Sequence, residues 1–141
     1  MNFVLDNSVS MRWLLKDGKP QDQDIVYANN VLEMMKNISA VVPAIWGLEV
    51  ANVLARAEAK GQVTAAHSQA FLELIEGITI DVDTETFTRA LSGTLDLTRR
   101  YKLSAYDASY LELALRLGLP LASLDETLLT AAKKAGVEKF V

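Results

Sequence analysis

Short apolar runs alternate along the chain with longer stretches whose apolar residues recur every three to four positions. The first run, residues 2–5 (NFVL), ends at Asp6 and reads as a buried strand. Ser8 stands where an N-cap belongs, ahead of Met11, Trp13, Leu14 and Leu15, and Gly18, Lys19 and Pro20 break that helix. A second helix is predicted from about Asp22 to Lys36, with Ile25, Ala28, Val31, Leu32 and Met35 on one face. Ala40–Val42, closed by Pro43, is the next strand.

Residues 44–60 read as a helix stopped by Gly61, and Thr64 caps another that ends near Glu76–Gly77. Ile78–Asp81 is strand-like, Thr84 opens a long helix to about Lys102, and Ser104 caps the next, which stops at Gly118–Leu119–Pro120. Leu121–Leu124 is a fourth apolar run. Asp125 then caps a helix to Gly136, and Glu138–Val141 is the last expected strand. The alternation predicts an α/β domain of three layers, α/β/α, with a mostly parallel sheet covered by helices on both faces. At 141 residues, with no linker or repeat, one domain spanning 1–141 is expected.

Composition narrows the chemistry. There is no cysteine, so disulfides, thiolate metal sites and a cysteine nucleophile are excluded. The start lacks a basic segment followed by an apolar one, and no apolar run approaches the ~20 residues of a membrane span, so a cytoplasmic location and no membrane partner are expected. Asp and Glu number 18 against 14 Lys and Arg, a net charge of −4. A protein that holds nucleic acid mainly through phosphates is normally basic, so any such role here needs local patches, bound metal or a second subunit.

In open parallel sheets, ligands sit beyond the carboxyl ends of the strands where strand order reverses. Two expected strands end in an aspartate there, Asp6 and Asp125. Taken singly, Asp6 also fits a turn or cap, and Asp125 a helix N-cap. Asp107, in Ser104-Ala105-Tyr106-Asp107, also fits a variant capping box. Glu49 lies in a helix segment with almost no other charge, where an unpaired carboxylate is costly, and Asn52 shares its face; an exposed stripe reaching Arg56 is the alternative. Jointly, four carboxylates at one sheet edge require a cation. Oxygen ligands without cysteine or a histidine cluster favour Mg2+ or Mn2+ over Zn2+.

These residues resemble those of PIN-domain proteins, of the toxin type known as virulence-associated protein C. The matching blocks run in order over nearly the whole chain: Asp6 and Ser8 in LDNSV, Glu49 and Asn52 in LEVANVL, Asp107 in LSAYDASYLELA, and Ser123 and Asp125 in ASLDETLLTAAKKAGV. In the third block Tyr106, Ala108, Tyr110, Leu111 and Ala114 match as well. The family often has Thr or Ser where this chain has Asn7, a change that bears on the hydrogen bonds orienting Asp6.

The resemblance implies a five-stranded sheet in the order 3-2-1-4-5. It also implies a metal-dependent endoribonuclease, the toxin of a toxin–antitoxin pair, that dimerises and is held by a small antitoxin. Asp6, Glu49, Asp107 and Asp125 would be catalytic and metal-holding, with Ser8, Asn52 and Ser123 in support. Products would carry a 5′-phosphate and a 3′-hydroxyl.

A single histidine, His67, excludes a paired-histidine mechanism and reads as a surface residue. Arg12 with Lys16, and Arg99, Arg100 with Lys102, are candidate RNA-binding clusters or else solvated helix faces. Trp46, Met34 and Met35 suggest apolar surface for a dimer. Trp13 and Leu14 face either an antitoxin or the domain's own core. Competing functions are a catalytically silent module that binds RNA or protein, and a phosphatase using Asp6 as nucleophile. Haloacid-dehalogenase-like phosphatases carry a second Asp two residues on, where this chain has Ser8.

Overall fold

The computed structural model describes residues 1–16, 19 and 21–141. Among these residues four strands, β1 (Phe3–Leu5), β2 (Ala40–Val42), β3 (Ile80–Val82) and β4 (Leu121–Ala122), form one parallel sheet in the order β3-β2-β1-β4. Every residue of β1, β2 and β4 is buried. Strands buried on both faces need cover on both faces, which is why these segments are continuous apolar runs rather than alternating ones.

The helices supply that cover. They are α1 (Asn7–Leu14), α2 (Gln23–Met34), α3 (Trp46–Ala59), α4 (Ala65–Glu76), α5 (Thr86–Arg89), α6 (Leu95–Tyr101), α7 (Ala105–Leu117) and α8 (Glu126–Lys134). One group packs around α1, which touches α2, α3 and α4, and the other around α7, which touches β1, β4, α6 and α8. The α/β class and the central strand order are as expected from the sequence.

Several edges differ. The fifth strand is absent among the described residues: Glu138–Val141 contributes one parallel bridge, Leu121 to Lys139, instead. Two backbone bonds hold it, from Leu121 N to Glu138 O at 2.9 Å and from Phe140 N to Leu121 O at 2.8 Å. Phe140 also stacks on Phe3 with ring centroids 4.1 Å apart, adding side-chain packing to these bonds.

The helix expected from Thr84 starts at Thr86, whose hydroxyl donates to Asp83 at 2.9 Å and accepts from the amide of Ala44 at 2.8 Å. A π-helical turn at Ala90–Thr94 then interrupts it, packing on α7 and burying Thr94. Arg116 near the end of α7 locks this region, bonding Asp83 at 2.8 Å and Glu112 at 2.8 Å.

Local signals were honoured elsewhere. Asp22, Thr64, Ser104 and Asp125 each accept a backbone N–H as side-chain caps. Ser8 does not. Asp6 holds the N-cap position of α1 and Ser8 lies inside its first turn, so the hydroxyl is released for other partners. The expected break of this helix at Gly18 and Pro20 lies outside the described residues; α1 ends at Leu14.

Trp13 and Leu14 are core residues, and Trp13 Nε1 donates to Ala28 O at 2.8 Å. That removes them as a partner-facing patch. Trp46 and Met35 are also buried, Trp46 donating to Ser10 Oγ at 3.2 Å, so of the three residues expected to offer dimer surface only Met34 is exposed. His67 is exposed, as expected. No helix is long and apolar enough to cross a membrane among the described residues.

Candidate active site

Sheet register decides what meets Asp6. Val4 pairs with Leu121 and Leu5 with Ala122, so the residue after β1 lies opposite the residue after β4. That residue is Ser123, because β4 stops two residues short of the expected Leu124. The amide of Asp6 donates to Ala122 O at 2.9 Å, continuing the ladder.

Two hydroxyls from opposite ends of the chain converge on one oxygen. Ser8 Oγ donates to Asp6 Oδ2 at 2.6 Å and Ser123 Oγ donates to the same atom at 2.8 Å. Each serine is itself fixed by an amide, Ser8 Oγ accepting from Leu124 N at 2.9 Å and Ser123 Oγ from Asp125 N at 3.0 Å. The Asp6 carboxylate is therefore held between Ser8 of the first turn of α1 and Ser123 beyond the end of β4. Burial raises its pKa above the usual carboxylate value; the Ser8 and Ser123 bonds oppose that rise, and the charge of Asp125 adds to it.

The side chain of Asn7 takes no part in this set, although its backbone bonds the Asp6 carboxylate. Asn7 Oδ1 accepts from Ser10 Oγ at 3.1 Å, and Ser10 in turn receives Trp46, so Asn7 ties α1 to α3.

Glu49, in the first turn of α3, is half-buried and accepts from the Tyr110 hydroxyl at 2.5 Å. Burial raises its pKa, the Tyr110 bond lowers it, and the charges of Asp6 and Asp107 raise it further. Asp107 lies in the first turn of α7, where its amide is capped by Ser104 Oγ at 3.1 Å. Burial, then the charges of Asp125 and Asp6, push its carboxyl up to about 6. Asp125 caps α8 with Oδ1, which accepts from Leu128 N at 3.1 Å. Cap and acid are thus the same residues at Asp125, and neighbours at Ser104 and Asp107.

The four acids come from four elements, and the charge of Asp125 reaches Asp6 and Asp107 while those of Asp6 and Asp107 reach Glu49, but their arrangement is open. Among the described residues no three Asp, Glu or His side chains stand close enough to form a ready cation cage. Electrostatic coupling reaches further than ligation does, so the two observations agree. The donor set suits Mg2+ or Mn2+: hard oxygens only, and Mg2+ commonly binds through one or two carboxylates while keeping several waters. Asn52 is exposed one turn beyond Glu49 and joins none of these bonds among the described residues.

Tyr110 is the residue whose role the sequence did not disclose. Its signal was its spacing, three positions after Asp107 on the same helical face. Its own pKa is raised by burial and by the Glu49 charge, so it remains a hydrogen-bond donor.

A parallel α/β domain with coupled carboxylates beyond its strand ends belongs to a class in which phosphodiester chemistry through divalent metal is common. The PIN domain profile matches residues 3–134, and the chain belongs to the PIN-domain family, a fold of metal-dependent nucleases in general. Among solved structures it is similar to PAE2754 from Pyrobaculum aerophilum, with a TM-score of 0.69 and 19% identity over 99% of this chain and 83% of that one. At that identity the likeness concerns the fold alone. A search of curated proteins returns no match.

Proposed function

We propose that this chain is a metal-dependent endoribonuclease acting as the toxin of a toxin–antitoxin pair. The observation that carries the nuclease part is the set of charge couplings that link Asp6 to Asp125, Asp107 to Asp125 and Asp6, and Glu49 to Asp6 and Asp107. Such crowding is unfavourable in the bare protein and is relieved by a cation.

Asp6, Asp107 and Asp125 would hold the ion, with Glu49 as a further ligand or as a base. A bound Mg2+ or Mn2+ supplies the acidity that makes water a nucleophile at neutral pH and the charge that offsets the phosphate. Ser8 and Ser123 fix Asp6 Oδ2, so that carboxylate keeps one orientation while substrate enters and leaves. Tyr110 occupies Glu49 Oε1, and the raised pKa of Glu49 suits it to take a proton. Products with a 5′-phosphate and a 3′-hydroxyl are expected from the family resemblance.

The test is cleavage of end-labelled RNA by the purified chain with Mg2+, with Mn2+ and with chelator. Cutting only with metal supports the proposal. RNA that is bound but never cut, whatever the metal, identifies a silent binding module, and a trapped aspartyl-phosphate would move the assignment to a phosphatase.

The toxin part has its own test. Expression without the neighbouring reading frame should arrest growth, and co-expression with it should restore growth and yield a complex that copurifies. A wild type that is abundant, soluble and harmless sinks the toxin assignment while leaving the nuclease intact. A homodimer completes the proposal, since two copies pool their basic surfaces; light scattering showing only monomer at micromolar concentration counts against it.

A further inference from the structure

The sequence leaves a conflict between a net charge of −4 and an RNA substrate. The tertiary structure offers a local answer. An open groove of about 630 Å³ runs between the end of α6 and one face of α8, lined by Arg100, Tyr101, Lys102, Glu126, Thr130 and Lys134 among others. Three cations against one carboxylate make it positive. Among the described residues Arg100, Lys102 and Lys134 form no ion pair, whereas Arg99 lies 3.9 Å from Asp96 and Arg116 is wholly engaged.

One end of the groove's lining lies next to Asp125 in the chain. Glu126 follows Asp125 directly, and Thr130 and Lys134 succeed it at four-residue steps on one face of α8. From Glu126 to Lys134 the helix rises roughly 12 Å. That matches about three nucleotides of a stacked strand at roughly 3.4 Å each.

Lys102 supplies an independent observation. It ends α6 in the left-handed region, at φ 55 and ψ 41, and is the one non-glycine residue with positive φ among those described. Glycine or asparagine is the residue that position favours on backbone grounds. The ammonium group at the groove gives a reason for lysine that the backbone does not.

We propose that this groove holds the RNA strand flanking the cut, with its phosphates on Arg100, Lys102 and Lys134 and a base against Tyr101. The assignment rests on the nuclease reading above and names where its substrate lies. Phosphate binding here is independent of sequence, so it sets position and affinity while leaving base choice to other contacts. Thr130 adds a hydroxyl donor midway along the groove.

The test measures binding of a fluorescent single-stranded RNA by anisotropy in chelator, so that cleavage plays no part. The double variant Arg100→Gln/Lys134→Gln should lower affinity about tenfold near physiological salt and reduce the salt slope by about 1.4, given roughly 0.7 per neutralised phosphate on a single strand. Lys102→Gly suits the left-handed backbone, so it should melt no lower than wild type while still weakening RNA binding. Lys36→Gln/Lys60→Gln, which removes two exposed charges elsewhere, should leave affinity unchanged.

With metal present, the groove double should raise KM and change kcat little. Equal losses in the control pair, or no RNA binding by the wild type, overturn the groove. So does a result in which the groove double loses binding to a polyglutamate peptide but keeps RNA, which would assign the groove to an acidic protein segment. A chain that binds RNA through these residues without cutting keeps the groove and loses the nuclease; one that cuts with binding untouched in the double does the reverse.

Discussion

The hydroxyl of Tyr110 donates to Oε1 of Glu49 at 2.5 Å, joining α7 to the first turn of α3 across 61 positions of sequence. Tyr110 is fully buried while Glu49 is only half-buried, so the bond reaches from the core out to the acid cluster. Tyr110→Phe keeps the ring's packing and removes one donor from a carboxylate, a loss of roughly 1.5–3 kcal/mol at most, reduced by the water that reaches Glu49. Urea unfolding should register that modest loss, and the pH profile of metal-dependent cleavage should move upward because Glu49 becomes harder to ionise. An unchanged profile would leave Tyr110 a packing residue.

Asp6→Asn should abolish cleavage with little harm to the fold. The amide oxygen still accepts from Ser8 and Ser123, and the substitution removes a buried charge from the neighbourhood of Asp125, Asp107 and Glu49. The metal-free variant should melt at or above the wild-type temperature. Severe destabilisation in a thermal melt would make Asp6 a structural residue first.

Asp107 gives the metal-free protein a pH dependence with a definite sign. Its carboxyl rises from 3.8 to about 6 on folding, so the folded chain binds this proton more tightly than the unfolded chain does. That contribution favours folding at low pH and fades as pH climbs from about 3.8 through about 6. Between those limits wild type should therefore lose stability relative to Asp107→Asn as pH rises. Saturating Mg2+ should shrink the difference, because a cation favours the ionised form. Parallel stability curves for the two proteins in chelator would remove Asp107 from the coupled set.

Ser123→Ala should cost about 1–3 kcal/mol, since it leaves the Asp125 amide without its hydroxyl acceptor and takes one of two donors from Asp6 Oδ2. Ser8→Ala removes the other donor, and the double variant should differ from the sum because both act on one oxygen. Chemical denaturation of the four proteins in a double-mutant cycle measures that coupling. Strict additivity would mean that the two hydroxyls stabilise separate features.

The sequence by itself determined what depends on neighbours three or four positions apart. Thr64, Ser104 and Asp125 cap the helices they were expected to cap, since a cap needs only its own first turn. The all-buried strands announced themselves as unbroken apolar runs, and the alternation with helices gave the parallel α/β class. The acids were legible as candidates because a charge at a strand end or inside an apolar helix is conspicuous.

What touches what was decided by the tertiary structure. Ser123 rather than Asp125 meets Asp6 because the β1–β4 register aligns Leu5 with Ala122, a pairing of residues 117 positions apart that no local pattern encodes. Ser8 left its expected cap because Asp6 took that position, freeing the hydroxyl to bond sideways across the strand ends. Trp13 and Trp46 had periodicity fit for either a core or a partner, and only the packing of α1 against α2 and α3 buried them. The last expected strand shrank to one bridge, and the stacking of Phe140 on Phe3 adds a contact that no local pattern shows. Local preferences are additive along the chain, whereas register and burial follow from closing long loops, and that closure fixes the site.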